Sequence, residues 1–180
     1  MDILQQFYNS SLDSEYLVVQ PDGQILRRNA ASENGLLDVR YPVFPGSFNP
    51  LTAQHIRICD TLRDTLGGCL CEISTRPCSH SGSELTLKDL RRVVSQFEWK
   101  YPLIVSKLDT YERKRLIFAT GLVRFVAGSQ AFREGVERTS GLADIEFLVI
   151  SRDARDTRNI KAFAESREQP VRFTIVGPLL

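Results

Sequence analysis

The chain has 180 residues, of which 42% are hydrophobic and 25% charged, with a formal net charge of +1. That size suits one domain, or one domain with a small N-terminal addition, and no apolar run is long enough to span a bilayer. The even charge balance argues against a nucleic-acid or membrane surface. The opening MDILQQFYNSSLDSEY lacks the basic-then-apolar order of a secretory signal, so a cytoplasmic protein is expected.

Residues 1–40 read as an N-terminal extension. A short helix is predicted over 3–7, and strands over 16–19 and 25–27 flank Pro21-Asp22-Gly23, a turn signal for a β-hairpin. Residues 29–35 are a polar connector. From residue 41 the pattern alternates. A strand over 42–44 precedes a helix over 53–66, which ends at Gly67-Gly68 and carries Ile56, Cys59, Leu62 and Leu66 at helical spacing. Strands follow over 70–74, 103–106, 123–127, 145–150 and 171–176, with helices over 87–97, 111–119, 130–137 and 157–164 between them. Thr86-x-x-Asp89 reads as a capping-box variant.

Alternating strands and helices imply βαβ units with right-handed crossovers. The predicted fold is therefore α/β, a Rossmann-like doubly wound, mostly parallel sheet with helices on both faces, over residues 41–180. Ligands on such sheets sit beyond the carboxyl ends of the strands, at the topological switch point.

Four cysteines lie close in sequence: Cys59, Cys69, Cys71 and Cys78, with His80 beyond. In a cytosolic protein they stay reduced. Cys69-x-Cys71…Cys78-x-His80 offers four zinc-type ligands, but C-x-C is tighter than the usual zinc spacing, and small buried hydrophobes are the plainer reading. No residue is assigned to a metal. The basic clusters Arg27-Arg28, Arg91-Arg92, Arg113-Lys114-Arg115 and Arg152/Arg155/Arg158 read as solvated helix faces or as the lining of an anion site.

The stretch PVFPGSFNPLTAQHIRI, residues 42–58, carries the chemistry. Pro45 and Gly46 end the strand sharply, Gly46 admits close backbone approach, and Pro50 stiffens the entry. Thr52 is a good N-cap for a helix starting at Ala53, which puts His55 at its third position. Free N–H groups, Thr52 and His55 then converge at a helix N-terminus, a ready anion site. The same residues also suit a plain cap.

G-S-F-N-P-L-T-A-Q-H, residues 46–55, resembles the signature G-[ST]-F-[DN]-P-x-[HT]-x-G-H of the HxGH/TxGH nucleotidylyltransferase superfamily. Pro21-Asp22-Gly23, Glu72-Ile73-Ser74, Phe125-Val126-Ala127-Gly128 and Phe147-Leu148-Val149 are similar to a bacterial cytidylyltransferase-like branch, often of unassigned activity. The resemblance spans about residues 16–155, and the ten-residue signature is its specific part. It implies transfer of a nucleotidyl group from ATP or CTP to a phosphate-bearing acceptor, with pyrophosphate leaving and Mg²⁺ bridging the phosphates. Thr52 and His55 would contact the triphosphate as catalytic residues. Gly46, Ser47, Phe48, Asn49, Gln54, Arg76 and Gly128 would line the nucleotide site. The partner is a small-molecule nucleotide, and superfamily members commonly self-associate.

The chain departs from the pattern at several positions. Gln54 replaces the family glycine, where a side chain could fill the nucleotide's space. After the second strand, where many relatives carry a lysine, Ser74-Thr75-Arg76-Pro77 offers Arg76, cationic but larger and differently hydrated. The aspartate that often follows the fourth strand's glycine is absent from Gly128-Ser129-Gln130, and no I-S-S/T-x-x-R segment is expected after Arg158. A degenerate, non-catalytic nucleotide-binding or scaffolding module is therefore the alternative. A dinucleotide-dependent oxidoreductase is the weaker third reading, since no G-x-G-x-x-G follows any predicted strand.

Overall fold

The structure is a computed structural model describing residues 2–10, 16–28, 37, 40–76, 84–96, 102–119 and 121–177. In chain order it contains α1 (Ile3–Tyr8), β1 (Tyr16–Val19), β2 (Ile25–Arg28), β3 (Val43–Gly46), α2 (Ala53–Leu66), β4 (Leu70–Ser74) and α3 (Leu87–Gln96). β5 (Leu103–Ser106), α4 (Tyr111–Arg115), β6 (Val123–Gly128), α5 (Ser129–Arg138), β7 (Ile145–Ile150), α6 (Ala154–Glu165) and β8 (Arg172–Val176) complete it.

All eight strands join one sheet in the order β2-β1-β5-β4-β3-β6-β7-β8. The six strands from β5 to β8 are parallel. Their winding begins at β3, runs out through β4 to β5, then returns to the other side of β3 for β6, β7 and β8. This is the Rossmann-like doubly wound order, with its switch point between β3 and β6. β3 and β6 share the single Cα pair Val43–Phe125, so they part before their carboxyl ends. The β1–β2 hairpin turns at Gly23 (φ 82°), and β1 pairs antiparallel with β5, so the first forty residues contribute two strands to the same sheet.

Side-chain alternation along each strand divides the interior into two layers. One layer gathers Phe44, Cys71, Ile73, Leu103 and Val105 under α1, α2 and α3, through Phe7, Ile58, Leu62, Leu90 and Val93. The other gathers Val43, Ile104, Phe125, Phe147 and Val149 under α4, α5 and α6, through Tyr111, Phe132, Val136 and Ile160. Each layer removes its apolar side chains from water, the main favourable contribution to the fold.

Some local expectations shift. On α2 the inner stripe is Ile58 and Leu62 with Cys59 half-buried, while Ile56 is 50% and Leu66 37% exposed. Ile56 and Ile58 lie about 200° apart around the axis, so only one can face the sheet, and periodicity alone does not select it. α4 ends at Arg115 rather than at 119, because Leu116, Ile117 and Phe118 tighten into i→i−3 bonds. Phe118 then bridges to Leu37. α6 begins at Ala154 rather than 157, since the Asp153 carboxylate accepts the Asp156 N–H at 2.8 Å. The Thr86–Asp89 box forms as expected, with Asp89 N–H donating to Thr86 Oγ1 at 3.1 Å.

A polar cluster is enclosed within the core. Glu72 on β4 accepts from Lys114 Nζ of α4 and from Ser106 Oγ of β5, and Ser106 Oγ in turn accepts the Leu108 N–H at 3.1 Å. Among the described residues, no helix is long and apolar enough to cross a membrane.

Candidate functional site

A cleft of about 580 Å³ opens at the switch point. The carboxyl ends of β6 and β7 form one wall, through Gly128, Ser129, Ile150, Ser151 and Arg152. The first two turns of α2 form the other, through Ala53, Gln54, His55, Arg57 and Ile58, with Phe44 at the base. A parallel sheet requires this placement, because diverging strands leave a crevice that helix N-termini border.

Thr52 and His55 form a reciprocal cap. His55 N–H donates to Thr52 Oγ1 at 3.4 Å, and Thr52 N–H donates to His55 Nδ1 at 3.1 Å. A ring nitrogen that accepts from an amide is unprotonated, so the neutral imidazole carries its proton on Nε2. Burial holds the His55 pKa below the usual histidine range, opposed by the nearby Cys59 sulfur. The cap satisfies the amides of Thr52 and His55. The amides of Ala53 and Gln54, in the first turn of a fourteen-residue helix, have no intrahelical acceptor and border the cleft.

α5 adds a second N-terminus. Its N-cap is Gly128, which has no side chain to accept from the first-turn amides, and an added Cβ there would meet nothing within 4 Å. Two helix N-termini therefore face one crevice alongside Arg57 and Arg152. Among the described residues no aspartate or glutamate lines it. The arrangement favours an anion through dipoles, N–H donors and fixed positive charge together.

The structure unites only part of the expected set. His55, Gln54 and Gly128 line the cleft, and Thr52 stands behind His55 as its cap partner. Gly46 has a different use: a Cβ there would lie 3.2 Å from the Phe48 ring, so the glycine makes room for Phe48. Phe48 adopts φ 49° and is buried, its ring 5.2 Å from Phe44 and 5.1 Å from His55, centroid to centroid. Ser47 is exposed. Asn49 is tied to α3, its Oδ1 accepting from Arg92 Nη2. Arg76 is exposed beyond β4, on the other flank of β3 from the cleft, where its charge acts on Lys107 and Asp109.

The cleft also takes Arg57, Ser129 and Ser151, which the signature does not include, and Arg152, one of the basic cluster read as a solvated face or an anion-site lining. A signal for the last two was present: Ile150-Ser151-Arg152-Asp153-Ala154-Arg155 has the I-S-S/T-x-x-R spacing with arginine at the third position. It lies at the β7–α6 junction, ahead of Arg158. Ser151 is buried, its Oγ donating to Asp153 O at 2.9 Å and lying 2.7 Å from Thr157 Oγ1, which fixes the junction.

Behind the cleft, Cys59 of α2 meets Cys69 and Cys71 at the start of β4, with all three Sγ atoms within 4.8 Å of one another. Hydrogen bonds from the Cys69 and Cys71 thiols pull the Cys59 pKa down to about 4, helped by His55, while Cys69 and Cys71 are pushed up. Cys78 and His80, the other two residues of the zinc-type alternative, lie outside the described residues.

No family model matches the chain, and no match to it is found among curated proteins or solved structures. Fold and cleft thus stand on their own: a Rossmann-like α/β protein with an anion-favouring crevice at its switch point.

Proposed function

We infer that the chain binds the phosphates of ATP or CTP in this cleft and acts as a nucleotidyltransferase on a phosphate-bearing acceptor. The observation carrying this reading is the convergence of the α2 and α5 N-termini with Arg57 and Arg152 on one crevice that, among the described residues, no carboxylate lines. The resemblance of residues 46–55 to the nucleotidylyltransferase signature supports it, as does the I-S-x-x-x-R spacing at 150–155. Nucleotidyl transfer needs positioning and charge stabilisation more than a covalent protein group. On this reading the Ala53 and Gln54 amides, His55 Nε2–H and Arg152, all from residues lining the cleft, would donate to phosphate oxygens. Among the described residues no carboxylate lines the cleft, so Mg²⁺ would enter with the triphosphate. A cytoplasmic setting suits both the nucleotide and the reduced cysteines.

A non-catalytic nucleotide-binding module is the second reading. Gln54 favours it by projecting at the cleft where the family has glycine, as does the commitment of Thr52 and His55 Nδ1 to the helix cap.

Melting the protein with ATP or CTP and Mg²⁺, alongside pyrophosphate release over a panel of phosphorylated acceptors, tests both readings. A ligand at a hundred times its Kd stabilises by about 2.7 kcal/mol, an easily read shift. A shift with turnover supports the transferase, and a shift without turnover on any acceptor supports the binding module. No shift with either nucleotide removes both.

A further inference from the structure

We propose that Cys59, Cys69 and Cys71 form a binding site for a thiophilic d¹⁰ cation, Zn²⁺ or Cu⁺. Three of the chain's four cysteines converge there from two different elements. Cys71 lies in β4 and Cys69 immediately before it, and both pack into the layer covered by α2. Cys59 comes down from α2 on the same side as Ile58 and Leu62 and completes the triangle.

The spacing fits a shared ion. With Zn–S at about 2.3 Å, tetrahedral sulfurs stand about 3.8 Å apart, and a trigonal Cu⁺ site is similar. Cys59 Sγ and Cys71 Sγ are 3.6 Å apart, and no pair in the triangle exceeds 4.8 Å. A helix and a strand of the core hold the ligands, so binding needs little rearrangement. Cys69 and Cys71 are buried and Cys59 is half-buried, which leaves entry along the Cys59 side. Soft thiolates select zinc and cuprous ion over magnesium or calcium, so this site would not compete for the Mg²⁺ that accompanies a nucleotide. The proposal stands independently of what occupies the cleft.

The test uses the full chain, reduced and handled without oxygen, titrated separately with Zn²⁺ and Cu⁺ against a chromophoric chelator for each ion. The expected result is one ion held per chain for at least one of the two, with the separate titrations showing which. Cys59→Ser and Cys71→Val should each weaken retention at least tenfold. Cys71→Val keeps a small buried hydrophobe, and circular dichroism with a melting curve confirms that each variant is folded. Absence of binding for both ions in the reduced wild-type chain overturns the proposal, whether or not oxidation can then join Cys59 to Cys71. Retention unchanged in both folded variants overturns it as well.

Discussion

Lys114 reaches from α4 to Glu72 at the centre of the sheet, and the two side chains, each 1% exposed, form a buried ion pair. The pair sits beneath the layer containing Tyr111 and Phe125, with Ser106 Oγ as a further donor to the carboxylate. Desolvating both charges is costly, so the pair contributes little net stability while intact. Losing one partner strands a charge in the core.

Lys114→Met is therefore expected to destabilise the fold by about 3–5 kcal/mol. The double variant Glu72→Leu with Lys114→Met should recover most of that loss, because no unpaired charge remains. Urea unfolding of the three proteins checks this; a single variant costing under about 1 kcal/mol would mean that water reaches the pair.

His55 gives a pH signature. Its folded pKa lies below the unfolded value of 6.5, so the unfolded chain binds the proton first as pH falls. Stability is present in full above about pH 6.5 and declines as pH drops toward the lowered folded value. Glutamine at the third helical position can still accept from the N-cap amide, so His55→Gln keeps the cap while removing the titration. Unfolding curves between about pH 7.5 and about pH 5 should show a shallower acid loss in His55→Gln than in wild type. Equal slopes would assign the acid sensitivity to other groups.

Gly135 on α5 packs flat against Tyr111, where an added Cβ would stand 2.4 Å from the ring. Tyr111 has no room to retreat, since its ring is in edge contact with Phe125 at 5.1 Å and Phe147 at 5.0 Å. Gly135→Ala should cost about 1–3 kcal/mol through overpacking, despite alanine's better helix propensity. The thermal midpoint is expected to fall by roughly 2–4 °C per kcal/mol, and an unchanged midpoint would mean that the helix shifts freely.

Two substitutions separate the walls of the cleft. If the cleft binds a nucleotide as proposed, Gln54→Gly, which opens space at the first turn of α2, should tighten ATP or CTP binding by up to about tenfold, worth about 1.4 kcal/mol. Arg152→Ala should weaken it by tenfold or more, as expected for a charge-assisted phosphate contact of about 1.5–3 kcal/mol. Calorimetric titration of both variants reads the effects. Binding unchanged in both would place the nucleotide elsewhere.

Period and punctuation in the sequence settled the element order and the strand–helix turn at Pro45–Thr52. The Thr52 cap was legible because hydroxyl N-caps act locally, within one helical turn. The helix face was less so: two isoleucines competed on α2, and only contact with the sheet chose Ile58. The signature resemblance had already grouped Gly128 with His55, but tertiary structure alone brought Arg57 and Arg152 into the same cleft, since strand order is a long-range property that hydrophobic spacing does not encode. The same long-range pairing turned Gly46 from an expected ligand contact into room for the Phe48 ring, and Cys59 from a helix-stripe residue into the third corner of a thiol triangle. Local chain chemistry thus determined where the helix begins and how it is capped. Packing of distant segments decided which side chains share the space in front of it.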